Sequence, residues 1–135
     1  MLRSLLAVLA GIAVLTIVSF AIEAVVNPLL LYAFPHALPG PESLPRNFGV
    51  KTLTFAYGLM CVALGGYVTV LIARRLPMRH AAAMGIVQAC LTIAAMFSAE
   101  AYHASRPQWI ATAVLSLPAA LAGGLLYTKR RETSW

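Results

Sequence analysis

The residues of this chain that could do chemistry are few. It carries four carboxylates, all glutamate. Glu42 falls among prolines and Glu132 in a basic tail, which leaves Glu23 and Glu100 inside apolar stretches. Asn27 follows Glu23 by four positions and His103 follows Glu100 by three. Those spacings put each pair on one face of a helix. Ionisable groups inside apolar runs are costly to bury and count as functional candidates by default.

Three chemistries fit this set. In the first, Glu23, Asn27, Lys51, Glu100 and His103 form an interfacial polar cluster, and Glu23 pairs with Lys51 or reaches water. This demands least, because the ends of membrane spans tolerate charge better than their centres. In the second, Glu23 and Glu100 exchange a proton or a cation during transport. In the third, Glu100-x-x-His103 and Glu23 ligate a metal. Glu-x-x-His occurs in di-iron bundles, but those use two such motifs and further carboxylates. Three ligands would leave even a tetrahedral site underfilled.

Other arrangements are missing from the sequence. There is no glycine-rich phosphate loop and no cysteine pair at ligand spacing. Cys61 and Cys90 both sit in apolar runs, where a thiol behaves as a small hydrophobe. The lack of aspartate removes many catalytic constellations, and Ser4, Ser19, Ser98 and Ser116 have no His–carboxylate pattern nearby. Gln88 is expected to hydrogen-bond a neighbouring helix. The reading is a non-catalytic protein without a cofactor.

Composition says what must position these residues. The chain has 135 residues, 61% of them hydrophobic and only 10% charged. A soluble domain averages about 25% charged residues, so too few charges exist here to cover a water-facing surface. That excludes a soluble enzyme, a disordered tail and a nucleic-acid domain, and it makes the lipid bilayer the first partner. About 20 apolar residues span a bilayer, and four stretches qualify, at about 5–31, 52–73, 81–101 and 109–127. None shows the strict alternation of a barrel strand. The expected fold is all-α, a single transmembrane domain over residues 1–135 built as an integral membrane four-helix bundle. Arg3 and the small residues Ser19 and Ala21 also resemble a secretory signal with a cleavage site. Apolarity that continues to Phe34 favours a spanning helix instead.

The net charge of +6 reads as topology. Seven basic residues (Arg3, Arg74, Arg75, Arg79, Lys129, Arg130 and Arg131) fall on one side of the spans, against three (Arg46, Lys51 and Arg106) on the other. The positive-inside rule then places both termini in the cytoplasm. Tyr32, Tyr57, Tyr102, Trp109 and Tyr127 fall near span ends or within a few turns of them and are expected as interfacial anchors. The external segment at about 34–51 holds Pro35, Pro39, Pro41 and Pro45 with Gly40, which prevent a regular helix over its middle. It is expected to be an ordered connector, with a lid as the alternative. The short turn at 74–79 makes the second and third spans antiparallel neighbours.

Helices in lipid associate by close packing, so small residues mark their contacts. Gly58, Gly65 and Gly66 in the second span, Gly85 in the third, and Gly123 and Gly124 in the fourth are the expected packing positions. Pro28 is expected to kink or end the first span and Pro118 to kink the last. Gly65-Gly66 before Arg74-Arg75 echoes Gly123-Gly124 before Lys129-Arg130-Arg131, as a duplicated helical hairpin would.

Short motifs carry a resemblance over most of the chain. They are Ile22-Glu23-Ala24 leading to Tyr32 and Phe34-Pro35, then Leu64-Gly65-Gly66-Tyr67-Val68 running to Ala73-Arg74, then Pro107-x-Trp109. In these the chain resembles a loose group of small, largely uncharacterised bacterial four-span inner-membrane proteins. That resemblance implies a four-helix membrane fold and carries no activity. The chain is also similar to small multidrug resistance transporters in its length, its four spans and a glutamate in the first span. This second resemblance implies a proton-coupled transporter in which Glu23 is the coupling group. The expected role is accessory or structural, in an inner (plasma) membrane, beside a second copy or a larger membrane partner. Topology is testable with reporter fusions. A cytoplasmic reporter should be active at the C-terminus and inactive when inserted near Gly40; the reverse pattern would invert the orientation.

Overall fold

The computed structural model describes residues 2–73, 76–97 and 106–133. Four helices make up the fold: α1 (Leu2–Ala33), α2 (Phe48–Ala73), α3 (Pro77–Met96) and α4 (Arg106–Glu132). All four are long and apolar enough to cross a membrane. No strand occurs among the described residues. The protein is therefore an all-helical, multi-pass membrane protein. Arg74, Arg75, Ser98, Ala99, Glu100, Ala101, Tyr102 and His103 lie outside the described residues.

The helices depart from the expected spans mainly at their ends. With a rise of about 1.5 Å per residue, the 32 residues of α1 extend about 48 Å, beyond the roughly 30 Å hydrocarbon core. Pro28 does not end α1, which runs on to Ala33. Pro118 likewise lies inside a continuous α4. α4 also continues through Lys129, Arg130 and Arg131 to Glu132. Cations in a last turn complement the partial negative charge of a helix C-terminus, so the basic tail extends the helix.

The surface is apolar where lipid would lie. Ile17, Phe20, Val25, Met60 and Val114 are each about two-thirds exposed or more. The interior is built from small residues. α1 packs chiefly on α2, while α4 packs on both α2 and α3. At the α2–α4 crossing, a Cβ on Gly66 would meet the carbonyl oxygen of Ala120 and lie 2.9 Å from its carbonyl carbon. A Cβ on Gly123 would meet the Ala63 carbonyl oxygen and lie 2.7 Å from that carbonyl carbon. The two backbones touch at both places. Gly65 takes Met84 from α3, Gly85 lies against Leu117, and Gly124 lies against Ala81. Tyr67 and Tyr127 add an edge-on ring pair at 5.4 Å between α2 and α4.

Two glycines differ from the expected pattern. Gly58 marks no close approach, since an added Cβ would find nothing within 4 Å. Gly11, in α1, does mark one: its Cβ would stand 2.7 Å from the Gly65 carbonyl oxygen. It belongs to a stripe of Ala7, Gly11 and Leu15, four residues apart and buried.

The buried hydroxyls satisfy themselves locally. Thr69 donates to the Gly65 carbonyl at 2.8 Å, and Thr92 to the Gln88 carbonyl at 2.9 Å. Ser116 donates to the Ala113 carbonyl at 2.7 Å and lies 3.4 Å from the Gly85 carbonyl of α3. Among the described residues Gln88 does not reach across to another helix as expected; its amide faces Thr92 of its own helix at 3.5 Å. A carbonyl one turn back is always within reach of a helical Thr or Ser, which leaves Gln88 a local partner.

The connection between α1 and α2 contains a single short 3-10 helix, Pro41–Arg46. Its prolines exclude an α-helix, as expected, yet the segment is folded. Leu38, Leu44 and Val50 are buried together against Leu30 and Leu31. Asn47 then caps α2, its side-chain oxygen accepting from the Gly49 and Val50 amides at 2.9 and 3.3 Å. At the opposite end, Leu76 adopts a left-handed conformation (φ 48°) ahead of Pro77, and its carbonyl receives the Arg79 amide at 3.1 Å.

Forcing a side chain into the α2–α4 crossing should be costly. Overpacking a tight core costs about 1–3 kcal/mol, so Gly123→Ala should lower the thermal midpoint in detergent by several degrees. Gly58→Ala should leave it equal or raise it, because alanine is about 1 kcal/mol better than glycine in a helix interior.

Candidate functional site

A polar concavity lies at the end of the bundle that carries the α1–α2 connection. It is an open pocket of about 400 Å³. α1 contributes Glu23 and Asn27, α2 contributes Lys51, Thr54 and Tyr57, and α4 contributes Gln108. Pro41, Leu44, Pro45 and Val50 form its apolar wall. The connector thus folds over the pocket and supplies one side of it.

Each polar side chain is positioned by helical periodicity. Glu23 and Asn27 are one turn apart on α1. Lys51, Thr54 and Tyr57 step down one face of α2 at intervals of three. Six residues of helix span about 9 Å, which sets the depth of the polar face. At its foot the Tyr57 hydroxyl donates to Glu23 Oε1 at 3.3 Å. At its rim the Gln108 side-chain amide donates to the Lys51 carbonyl oxygen at 3.3 Å, tying α4 to α2. One helical turn below Tyr57 the interior closes: Cys61 and Val62 pack with Leu15, Met84 and Ala120, flanked by Val18 and Ile22.

The structure brings Glu23, Asn27 and Lys51 into one pocket. Glu100 and His103 lie outside the described residues. Among the described residues no group of three His, Cys, Asp or Glu side chains could hold a metal ion. Among the described residues the partner of Glu23 is Tyr57 rather than Lys51. Tyr57, read from the sequence as an interfacial anchor, instead faces the pocket, half-buried. Thr54 and Gln108 were not singled out by the sequence. Their signal was the Lys51-x-x-Thr54-x-x-Tyr57 spacing and a glutamine in the first turn of α4.

A carboxylate held by a phenol, a lysine and two side-chain amides lining one pocket can bind charge of both signs. They contain no nucleophile–base pair suited to covalent catalysis. Fold and site together define a multi-pass helical membrane protein with a polar pocket at one end. The chain matches no protein-family model, no curated protein and no solved structure.

The Glu23–Tyr57 contact can be measured. A double-mutant cycle with Tyr57→Phe and Glu23→Ala should give a coupling of about 1.5–3 kcal/mol, the range for a hydrogen bond to a charged group. Strictly additive effects would mean that the bond contributes nothing.

Proposed function

We propose that this chain is a non-catalytic bacterial inner-membrane protein with both termini in the cytoplasm. It serves as an accessory or structural component beside a second copy or a larger membrane partner, and its external pocket binds a small polar group. The resemblance to small four-span inner-membrane proteins and the seven-to-three distribution of basic residues support the placement. The observation that carries the functional reading is the pocket's position directly above a closed core. Polar lining ends at Glu23 and Tyr57, and the next layer is Leu15, Cys61, Val62, Met84 and Ala120. Such a site suits binding and presentation at one membrane face.

One observation favours a second reading, proton-coupled transport through Glu23. Its carboxylate lies within a spanning helix, ten residues before the helix end at Ala33, about 15 Å along the axis. Flux measurements separate the two. Liposomes containing the purified chain alone should show no pH-driven uptake of small organic cations. Uptake that disappears in Glu23→Gln would establish transport and overturn the accessory reading.

A further inference from the structure

A second concavity adjoins the first. It is a groove of about 360 Å³ between the first turns of α2 and α4, with Phe48, Phe55 and Ala111 among its apolar lining. Lys51 and Gln108 belong to both spaces. Because the Gln108 amide is bonded to the Lys51 carbonyl, these two residues form the shared wall. Passing from the pocket to the groove, a ligand would meet a carboxylate, then a lysine ammonium, then an apolar trough open to the lipid side of the bundle. Phe48 is 83% exposed there.

We infer that this double cavity holds a phospholipid with a primary ammonium headgroup, of the phosphatidylethanolamine type. The inference rests on the pocket reading above and deepens it by naming the ligand class. The order of groups along such a lipid is ammonium, phosphate, glycerol, acyl chain. The order of features along the protein is Glu23, Lys51 with Gln108, then the Phe48–Phe55 trough. Glu23 and Asn27 offer acceptors to the three N–H donors of a primary ammonium. Lys51 and the Gln108 amide lie where the phosphate falls. A quaternary ammonium needs an aromatic cage, and among the described residues Tyr57 is the one aromatic ring lining the pocket, so choline lipids fit less well. An anionic lipid without an ammonium would leave Glu23 facing a like charge. The helix ends also set the level. Lys51 is three residues into α2 and Gln108 two residues into α4, which is headgroup depth for helices that cross the bilayer.

The test uses full-length protein stripped of lipid in detergent. It is titrated with phosphatidylethanolamine, phosphatidylcholine and phosphatidylglycerol of equal chain length, and retention is read by native mass spectrometry. Phosphatidylethanolamine should bind about tenfold more tightly than the other two, the size of one hydrogen bond to a charged group. Glu23→Gln keeps an oxygen that can accept from Tyr57 and should abolish most of that preference. Ala111→Trp, which fills the trough, should weaken lipid retention while leaving soluble glycerophosphoethanolamine binding unchanged. Equal retention of all three lipids, or a preference that survives in Glu23→Gln, overturns the assignment. Glycerophosphoethanolamine binding as tightly as the intact lipid overturns the lipid assignment but leaves the pocket reading intact. No saturable binding of either compound overturns both.

Discussion

The close approach of α2 and α4 is the constraint on which the other features depend. In lipid, helices gain little from burying apolar side chains, since the solvent is as apolar as they are. Association must come from backbones near enough for dense van der Waals contact. Gly66 against Ala120 and Gly123 against Ala63 bring the two backbones into contact. Gly85 and Gly124 let α3 nest on α4, while Gly65 and Gly11 let α1 settle on α2. A bundle assembled this way has a narrow interior. It has room for Met84, Val70, Thr69 and Ser116 as fully buried side chains, and little more.

That narrowness sorts the polar groups. Hydroxyls small enough to fold back on their own helix, such as Thr69, Thr92 and Ser116, remain inside. Glu23, Asn27, Lys51 and Gln108 lie at the loop end, beside the proline-rich connector. Glu23 tolerates its depth because Tyr57 donates to it and Lys51 and Asn27 line the same space. The connector's buried Leu38 and Leu44 pack with Val50 of α2 against Leu30 and Leu31 of α1, giving the pocket a fixed wall. Packing in the middle of the bundle and polarity at its end are two consequences of one close contact.

Much of this was legible in the sequence, for physical reasons. Four apolar stretches of spanning length have one stable solution in lipid, and the paired glycines marked helix contacts, Gly66 and Gly123 between α2 and α4, Gly65 towards α1 and α3, and Gly124 towards α3. Helix ends were harder. A basic cluster reads as a stop, yet Lys129 to Arg131 prolong α4, because a helix C-terminus welcomes cations. Gly58 and Gly11 show why residue type alone does not locate a contact: only the rotation of the helix decides which small residue faces inward. Glu23 and Asn27 stood out because polar residues are rare in an apolar run. Tyr57 did not, because an aromatic near a span end has an ordinary explanation as an anchor. Gln108 was hidden for a similar reason, since its partner is a backbone carbonyl 57 positions away, which no local pattern reveals.

Water access along the bundle tests the closed core beneath the pocket most directly. Single cysteines placed in a Cys61→Ala, Cys90→Ala background and reconstituted in nanodiscs can be labelled with a water-soluble maleimide reaching both faces. Thr54→Cys, in the pocket, should react rapidly, whereas Thr69→Cys and Ser116→Cys, in the closed interior, should react at least about a hundredfold more slowly. Comparable rates at all three positions would reveal a hydrated path through the bundle and contradict a packed core beneath a pocket at one end.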